Sequence, residues 1–321
     1  MEVWGGNELT DSAVAVPGLA IHVYSRPYHG EAAGGDVLYV STCGMGRIAR
    51  ILVADVAGHG EHVADIARTL RDLMRRFINY VDQTALVFAL NHEFTAAATR
   101  GHFATAIAAT YWSATDCLTA TNAGHPRPVW YCAQSNAWTV LKDATRIASR
   151  TAISNLPLGV IDLTEYDQVM VRLAPGDLVL FYTDSITEAF DPNGDMLGED
   201  GLVALLHQLD ATRPHEFVRR VVDQVERFRG GREADDDLTV VAMVCSGEKP
   251  PRHLTEKVRS MALIGRAMIG RLIGRRTPVP WPEVSIVSIV GMFIRPINRL
   301  WGGRLKPGEV RTGPAARRAD R

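Results

Sequence analysis

ILVADVAGHG, residues Ile51–Gly60, opens as a short apolar run and closes as a glycine-bearing turn. Ile51, Leu52 and Val53 make the kind of run that forms a buried strand. Asp55 stands at the strand's exit, where a carboxylate can point into a shared cavity while the backbone turns away through Gly58 and Gly60. One aspartate in such a place is ordinary, because turns after strands favour the residue. Three others occupy comparable places: Asp36 in GGD, Asp184 in FYTD and Asp236 in DDDLT.

Working outward, Ala13–Tyr24 and Val37–Ser41 read as strands, with Gly34-Gly35 between them giving the backbone freedom to turn. Arg47–Ala54 is the next strand, joined through a hairpin-like Gly44-Met45-Gly46. Beyond Gly60, Val63, Ile66, Ala67, Leu70, Leu73, Met74, Phe77 and Ile78 recur at helical spacing, with Arg68, Arg71, Arg75 and Arg76 on the other side. That spacing predicts an amphipathic helix over Val63–Tyr80, and a second helix is expected over Thr84–Thr99. The period then shortens to strands at Phe103–Ser113, Cys117–Thr121, Pro128–Cys132 and Ala137–Leu141. Val169–Leu173 and Leu178–Tyr182 read as a hairpin about Ala174-Pro175-Gly176-Asp177. Helices are expected near Gly201–Leu209 and Pro214–Phe228, and a closing strand at Leu238–Val244. Such an order is not the regular alternation of a parallel α/β sheet; it predicts antiparallel sheets with helices packed on them, an α+β fold.

A chain of 321 residues, 46% apolar and 22% charged, is globular and long enough for a substantial core. The start, MEVWGGNELTDS, has neither a basic stretch nor an apolar run, so no signal peptide is expected and 1–12 reads as a leader. Cys43, Cys117, Cys132 and Cys245 are widely spaced, which argues against a disulfide framework or a zinc site and fits a cytoplasmic protein. Net charge divides the chain. Residues 249–321 carry 16 Lys and Arg against 4 Asp and Glu, and residues 1–248 carry 19 against 32. The reading is therefore a leader (1–12), an acidic folded body (13–246) and a basic tail (247–321).

Four aspartates at strand ends fit hard divalent cations, since Mg²⁺ and Mn²⁺ prefer carboxylate, carbonyl and water oxygens. Two such ions roughly 3.5–4 Å apart generate a hydroxide nucleophile near neutral pH, which suits hydrolysis of a phosphate ester. The residues also carry a resemblance. GGD at 34–36, DVAGHG at 55–60, ATNAGHPRP at 120–128, LPLG at 156–159, LAPGDLVLFYTDSITEAFDPNGDMLGEDGL at 173–202 and DDDLTVVAM at 235–243 occur in one family's order. Over Ala32–Val244 the chain resembles the metal-dependent protein serine/threonine phosphatases (PPM, or protein phosphatase 2C-like), in their bacterial SpoIIE/RsbU-like branch.

The resemblance implies a central antiparallel β-sandwich flanked by helix pairs, with two Mg²⁺ or Mn²⁺ ions at one end. It implies Asp55 as the bridging ligand, Asp36 on one ion, Asp184 and Asp236 on the other, and the Val56 carbonyl as a main-chain ligand. The expected reaction is in-line attack of a metal-bridged hydroxide on a phosphoserine or phosphothreonine monoester. His59 is read either as the proton donor to the leaving oxygen or as a residue that hydrogen-bonds the turn. Arg127 is a candidate phosphate contact through its planar fork, beside the plainer reading of a surface arginine. The branch commonly has glycine where this chain has Ser185, and a glycine of positive φ would leave serine strained. The implied substrate is a phosphoprotein such as an anti-sigma-factor antagonist in a partner-switching pathway.

The rival reading is a pseudophosphatase that binds phosphoproteins without hydrolysing them. No nucleic-acid partner is expected, because the basic tail has few interleaved aromatics and no recognisable motif. Gly34-Gly35 lacks the lysine and helix of a phosphate-binding loop. In the tail, Val258, Met261, Ala262, Met268, Ile269, Leu272 and Ile273 fall on one helical stripe, and Val284–Ile294 is an apolar run of 11 residues flanked by Trp281, Arg295, Arg299 and Trp301. A spanning helix needs about 20 apolar residues. The pattern instead predicts peripheral membrane contact, with docking onto the acidic body or a partner protein as alternatives.

Overall fold

Two six-stranded antiparallel sheets share one apolar interior, and each carries a pair of helices on its outer side. The structure is a computed structural model and describes residues 2–43, 47–58, 61–77, 80, 82–97, 102–141, 154–162 and 164–248. In chain order the strands are β1 Glu2–Gly6, β2 Thr10–Val16, β3 Leu19–Arg26, β4 Asp36–Cys43 and β5 Ile48–Val56. Helices α1 Glu61–Phe77 and α2 Gln83–Ala97 follow, then β6 Ala104–Trp112, β7 Cys117–Ala123, β8 Val129–Cys132, β9 Ala137–Val140, β10 Gln168–Arg172 and β11 Leu178–Tyr182. Last come α3 Gly198–Leu206, α4 Pro214–Arg229 and β12 Leu238–Cys245. One sheet runs β1-β4-β5-β6-β7-β10 and the other β2-β3-β12-β11-β8-β9.

The period-2 geometry of a strand explains why β5 is buried along its whole length. Ile51 and Val53 face the other sheet, alongside Leu38 and Val40 of β4 and Val179, Phe181, Val241 and Met243 from across the sandwich. Leu52, Ala54 and Val56 face outward beneath α1 and α2, where they meet Val63, Leu70, Met74, Leu86 and Leu90. The second sheet does the same. Leu178, Leu180 and Tyr182 of β11 pack under Leu202, Leu206, Phe217 and Val221. A strand covered on both faces reads as a continuous apolar run rather than an alternation.

Four expectations change. Residues 2–6, expected within a leader, form β1 and pair with β4, and β2 already begins at Thr10. Ala13–Tyr24 is two strands, β2 and β3, which pair with each other across Pro17-Gly18. Gly18 has φ +87°, and a Cβ there would lie 2.9 Å from the Tyr111 hydroxyl, so the chain reverses where only glycine fits. The segments 169–173 and 178–182 do not form a hairpin. β10 pairs with β7 in one sheet, while β11 pairs with β8 and β12 in the other. The connection changes sheets at a corner pinned by buried Asp177, which accepts from the amides of Ala133 and Ala174 (both 2.9 Å) and from the Trp130 indole (3.3 Å). Finally, α3 starts at Gly198 rather than Gly201 and ends at Leu206. The Gly44-Met45-Gly46 connection, the ends expected beyond Phe77 and Ala97, and the tail from Lys249 onward lie outside the described residues.

Candidate metal centre

Asp36 opens β4 and Asp55 lies one residue before the end of β5, and the two are direct partners across the antiparallel ladder. Strand parity then sets their direction. Leu38 and Val40 face the sandwich interior, as do Ile51 and Val53, so Asp36 and Asp55 project into the interior at the same end. Both are buried. The opposite sheet meets them there: Thr183, just past β11, donates from Oγ1 to Asp36 Oδ2 (3.0 Å) and accepts from the Thr239 amide (2.9 Å).

Asp184 follows Thr183 in a 3₁₀ turn, Asp184–Ile186. Ser185 is not among the described residues with positive φ, so serine stands there without backbone strain. In the acidic run before β12, Asp235 and Asp236 line a cavity of about 240 Å³ together with Asp184, Glu188, Phe190 and Glu233. Asp237 turns back instead. Its oxygens accept from the amides of Tyr28 (2.6 Å), Asp36 (3.2 Å) and Gly35, stapling the loop before β4 to the start of β12.

This staple corrects the reading of Gly34-Gly35. Neither residue has positive φ. A Cβ on Gly34 would fall 2.3 Å from the Asp237 carboxylate, and one on Gly35 would fall 2.9 Å from the Val56 carbonyl oxygen. Glycine is needed for close approach, not for turning.

The carboxylates repel one another. Burial holds Asp36 well above the usual carboxylate range, with the charges of Asp55 and Asp237 adding to it against hydrogen bonds from Thr239 and Thr183. Asp55 is pushed up to about 8, first by burial and then by Asp184, Asp236, Asp237 and Glu188. Asp184 is raised by burial and by Glu188. Carboxylates gathered out of water are costly unless a cation neutralises them, so the donor set fits one or more hard divalent ions. Among the described residues, no three His, Cys, Asp or Glu side chains lie close enough together to hold a metal ion as they stand. Asp36 lies within electrostatic reach of Asp55, and Asp55 within reach of Asp184 and Asp236.

His59 lies outside the described residues. Arg127 is not brought to the cavity wall; its fork is engaged by Glu199 of α3, Nε to Oε1 at 3.0 Å and Nη2 to Oε2 at 2.5 Å. Asn122 and His125 shape their own turn through two 2.7 Å bonds, Nδ2 to the His125 carbonyl and the His125 amide to Oδ1. His125 is buried, which drives its pKa down to about 3, and it sits against Thr105, the ladder partner of Asp55.

Reading the chain did not single out Thr183, Glu188 or Arg229. Glu188 has a local signal, since it lies four residues past Asp184 at the end of the same turn. Arg229 has none. It closes α4, is buried, lines the acidic cavity and donates from Nη2 to the Ser185 carbonyl (2.7 Å). Its Nε and Nη1 have no hydrogen-bond partner among the described residues. This fixed cation offsets part of the negative charge of Glu226 and Asp235 while its bond to Ser185 holds the Asp184 turn.

The family described as Stage II sporulation protein E (SpoIIE) matches residues 46–245. No curated protein matches the chain. Among solved structures, the RsbU and RsbW domains of a Mycobacterium tuberculosis protein are 22% identical at a TM-score of 0.59, over 82% of this chain and 72% of that one. The PP2C phosphatase domain of SpoIIE from Bacillus subtilis, with a fragment of its regulatory domain, is 18% identical at a TM-score of 0.59, over 73% and 64%. RsbX in complex with magnesium is 15% identical at a TM-score of 0.52, over 73% and 99%. At these identities the likeness shows the fold.

Proposed function

We propose, because this chain belongs to the SpoIIE family of PP2C-type phosphatases, that it hydrolyses phosphoserine and phosphothreonine monoesters on a regulatory protein. The observation that carries this is the pairing of Asp36 with Asp55 across β4 and β5, with Asp184 and Asp236 within electrostatic reach of Asp55. Two Mg²⁺ or Mn²⁺ ions, when bound, would supply Lewis-acid charge for the phosphoryl oxygens and acidify a water. Asp55 would hold both ions, Asp36 one, Asp184 and Asp236 the other, with the Val56 carbonyl beside Asp55. A likeness to RsbX in complex with magnesium supports the choice of ion.

The chain's own residues then have distinct tasks. Thr183 fixes the rotamer of Asp36, Asp237 holds the loop that presents it, and Arg229 holds the turn that presents Asp184. Protonation of the leaving oxygen falls to His59 or to a solvent water. The likeness to an RsbU domain supports a substrate of the partner-switching kind, a phosphorylated antagonist of an anti-sigma factor. The test is release of phenolate from an aryl phosphate by the full-length protein. Turnover is expected with Mn²⁺ or Mg²⁺, none in EDTA, and recovery when the metal is restored. Absence of turnover with every divalent ion would leave the non-catalytic binding module as the reading.

The basic tail adds a second element to this proposal, a cytoplasmic enzyme held at a membrane surface. Among the described residues no helix is long and apolar enough to cross a membrane. Support comes from the amphipathic stripe of 258–273 and the short apolar run Val284–Ile294 with its flanking Trp and Arg residues. The full-length protein is expected to sediment with vesicles containing anionic lipid, less so as salt rises, because each Lys or Arg near the surface contributes about 1 kcal/mol. A chain ending at Gly247 should stay in the supernatant. Equal behaviour of the two would sink the membrane reading.

A further inference from the structure

The segment just past Asp184 forms a small two-stranded unit of its own. Phe190 and Met196 pair in an isolated antiparallel bridge, and the Leu197 amide donates to the Ala189 carbonyl at 2.9 Å. Between them the chain turns tightly. Asp191 Oδ1 accepts from the amides of Asn193 (2.8 Å) and Asp195 (2.9 Å), and the Asp191 amide donates to the Asp195 carbonyl (2.9 Å).

Strand parity sorts the side chains of this unit. Ala189 and Leu197 are buried in the core under α3 and α4. Phe190 and Met196 therefore point the other way, side by side on one face, and are 38% and 54% exposed. The core does not need them. Phe190 also lines the cavity that Asp184 and Asp236 share. Scattered exposed apolar residues are ordinary, but an aromatic–methionine pair displayed on a pinned loop at the mouth of an acidic site is positioned to meet something. The adaptable thioether beside a flat ring suits an aliphatic side chain better than a charged one. On the same wall Glu188, Glu233 and Asp235 outnumber the cations Arg229 and Arg232, so its net charge disfavours an acidic neighbour.

We infer that Phe190 and Met196 form a subsite for an apolar side chain next to the phosphorylated residue, so that the preferred substrate is a phosphopeptide segment with an aliphatic rather than an acidic flank. This rests on the phosphatase reading above and adds the substrate's sequence class to it.

The experiment uses the full-length protein with Mn²⁺ and phosphoserine peptides that differ only in having Leu, Gly or Asp at the positions flanking the phosphoserine. The wild type is expected to favour a Leu-flanked peptide over the Gly-flanked one by about tenfold in kcat/KM, the scale on which an apolar pocket discriminates, and to disfavour the Asp-flanked one. Phe190→Ala should bring the Leu-to-Gly ratio to about one by removing that discrimination, and Phe190→Leu should retain part of it. A melting curve for each variant shows that it is folded. The absence of any flank preference in the wild type, full retention of it by folded Phe190→Ala, or hydrolysis of the aryl phosphate but of no peptide would each overturn the subsite. Failure of the wild type on the aryl phosphate itself would overturn the phosphatase reading instead.

Discussion

Asp55→Asn is expected to lower aryl-phosphate turnover by about three orders of magnitude or more, because the charge stabilisation that bound metals supply is worth several kcal/mol and each 1.4 kcal/mol is tenfold in rate. Asparagine keeps the shape of the side chain and removes the charge on which the ion pair would depend. The fold should survive. Asp55 is surrounded by Asp184, Asp236, Asp237 and Glu188, all of which disfavour its ionised form. The substitution therefore relieves repulsion, and the new amide can donate to a neighbouring carboxylate. Titration calorimetry should show loss of Mn²⁺ binding in a protein that melts no lower than the wild type in EDTA. Wild-type turnover in the variant would end the two-metal assignment.

In EDTA, the wild type is expected to lose stability as pH rises from about 5 to 8, against the usual behaviour of a protein rich in carboxylates. The sign follows from the direction of the shifts. An unfolded aspartate titrates near about 3.9, whereas Asp55 in the fold is pushed up to about 8. Between those values the folded state binds more protons than the unfolded one, so stability is full below the unfolded pKa and falls until the folded pKa is passed. The slope is about 1.4 kcal/mol per pH unit for one such group. Asp36 and Asp184 are shifted in the same direction and add to the fall. Saturating Mn²⁺ should flatten the profile, because an ion that binds the ionised carboxylates stabilises the fold as they deprotonate. Melting temperatures in EDTA and in Mn²⁺ across this range provide the measurement, with Asp55→Asn as the comparison that isolates one group. A melting temperature that climbs with pH in EDTA would contradict the crowded-carboxylate description.

Much of the architecture could be read along the chain, since each element announces itself by its own period. The apolar run at 51–53, the helical spacing over 63–77 and the short strands after residue 103 are local signals, and local sterics carry them into the fold. The four aspartates were visible for the same reason: each stands at the end of a strand. By itself the sequence determined that Asp36 would stand where one buried strand begins and Asp55 where another ends, each beside a glycine-bearing turn, and strand parity sent both the same way. Tertiary structure alone decided that they face each other in register, that Asp236 lines the cavity while Asp237 staples Gly35, and that Asp177, equally placed at a strand's edge, is a structural pin. It also decided that the chain changes sheets between β10 and β11, and that Thr183 and Arg229 belong to the site. These features depend on which backbone lies within 3 Å of which. That is settled by burying both faces of two sheets at once, a condition spread over residues from tens to more than 200 positions apart, as Arg229 is 44 from Ser185 and Asp237 is 202 from Gly35.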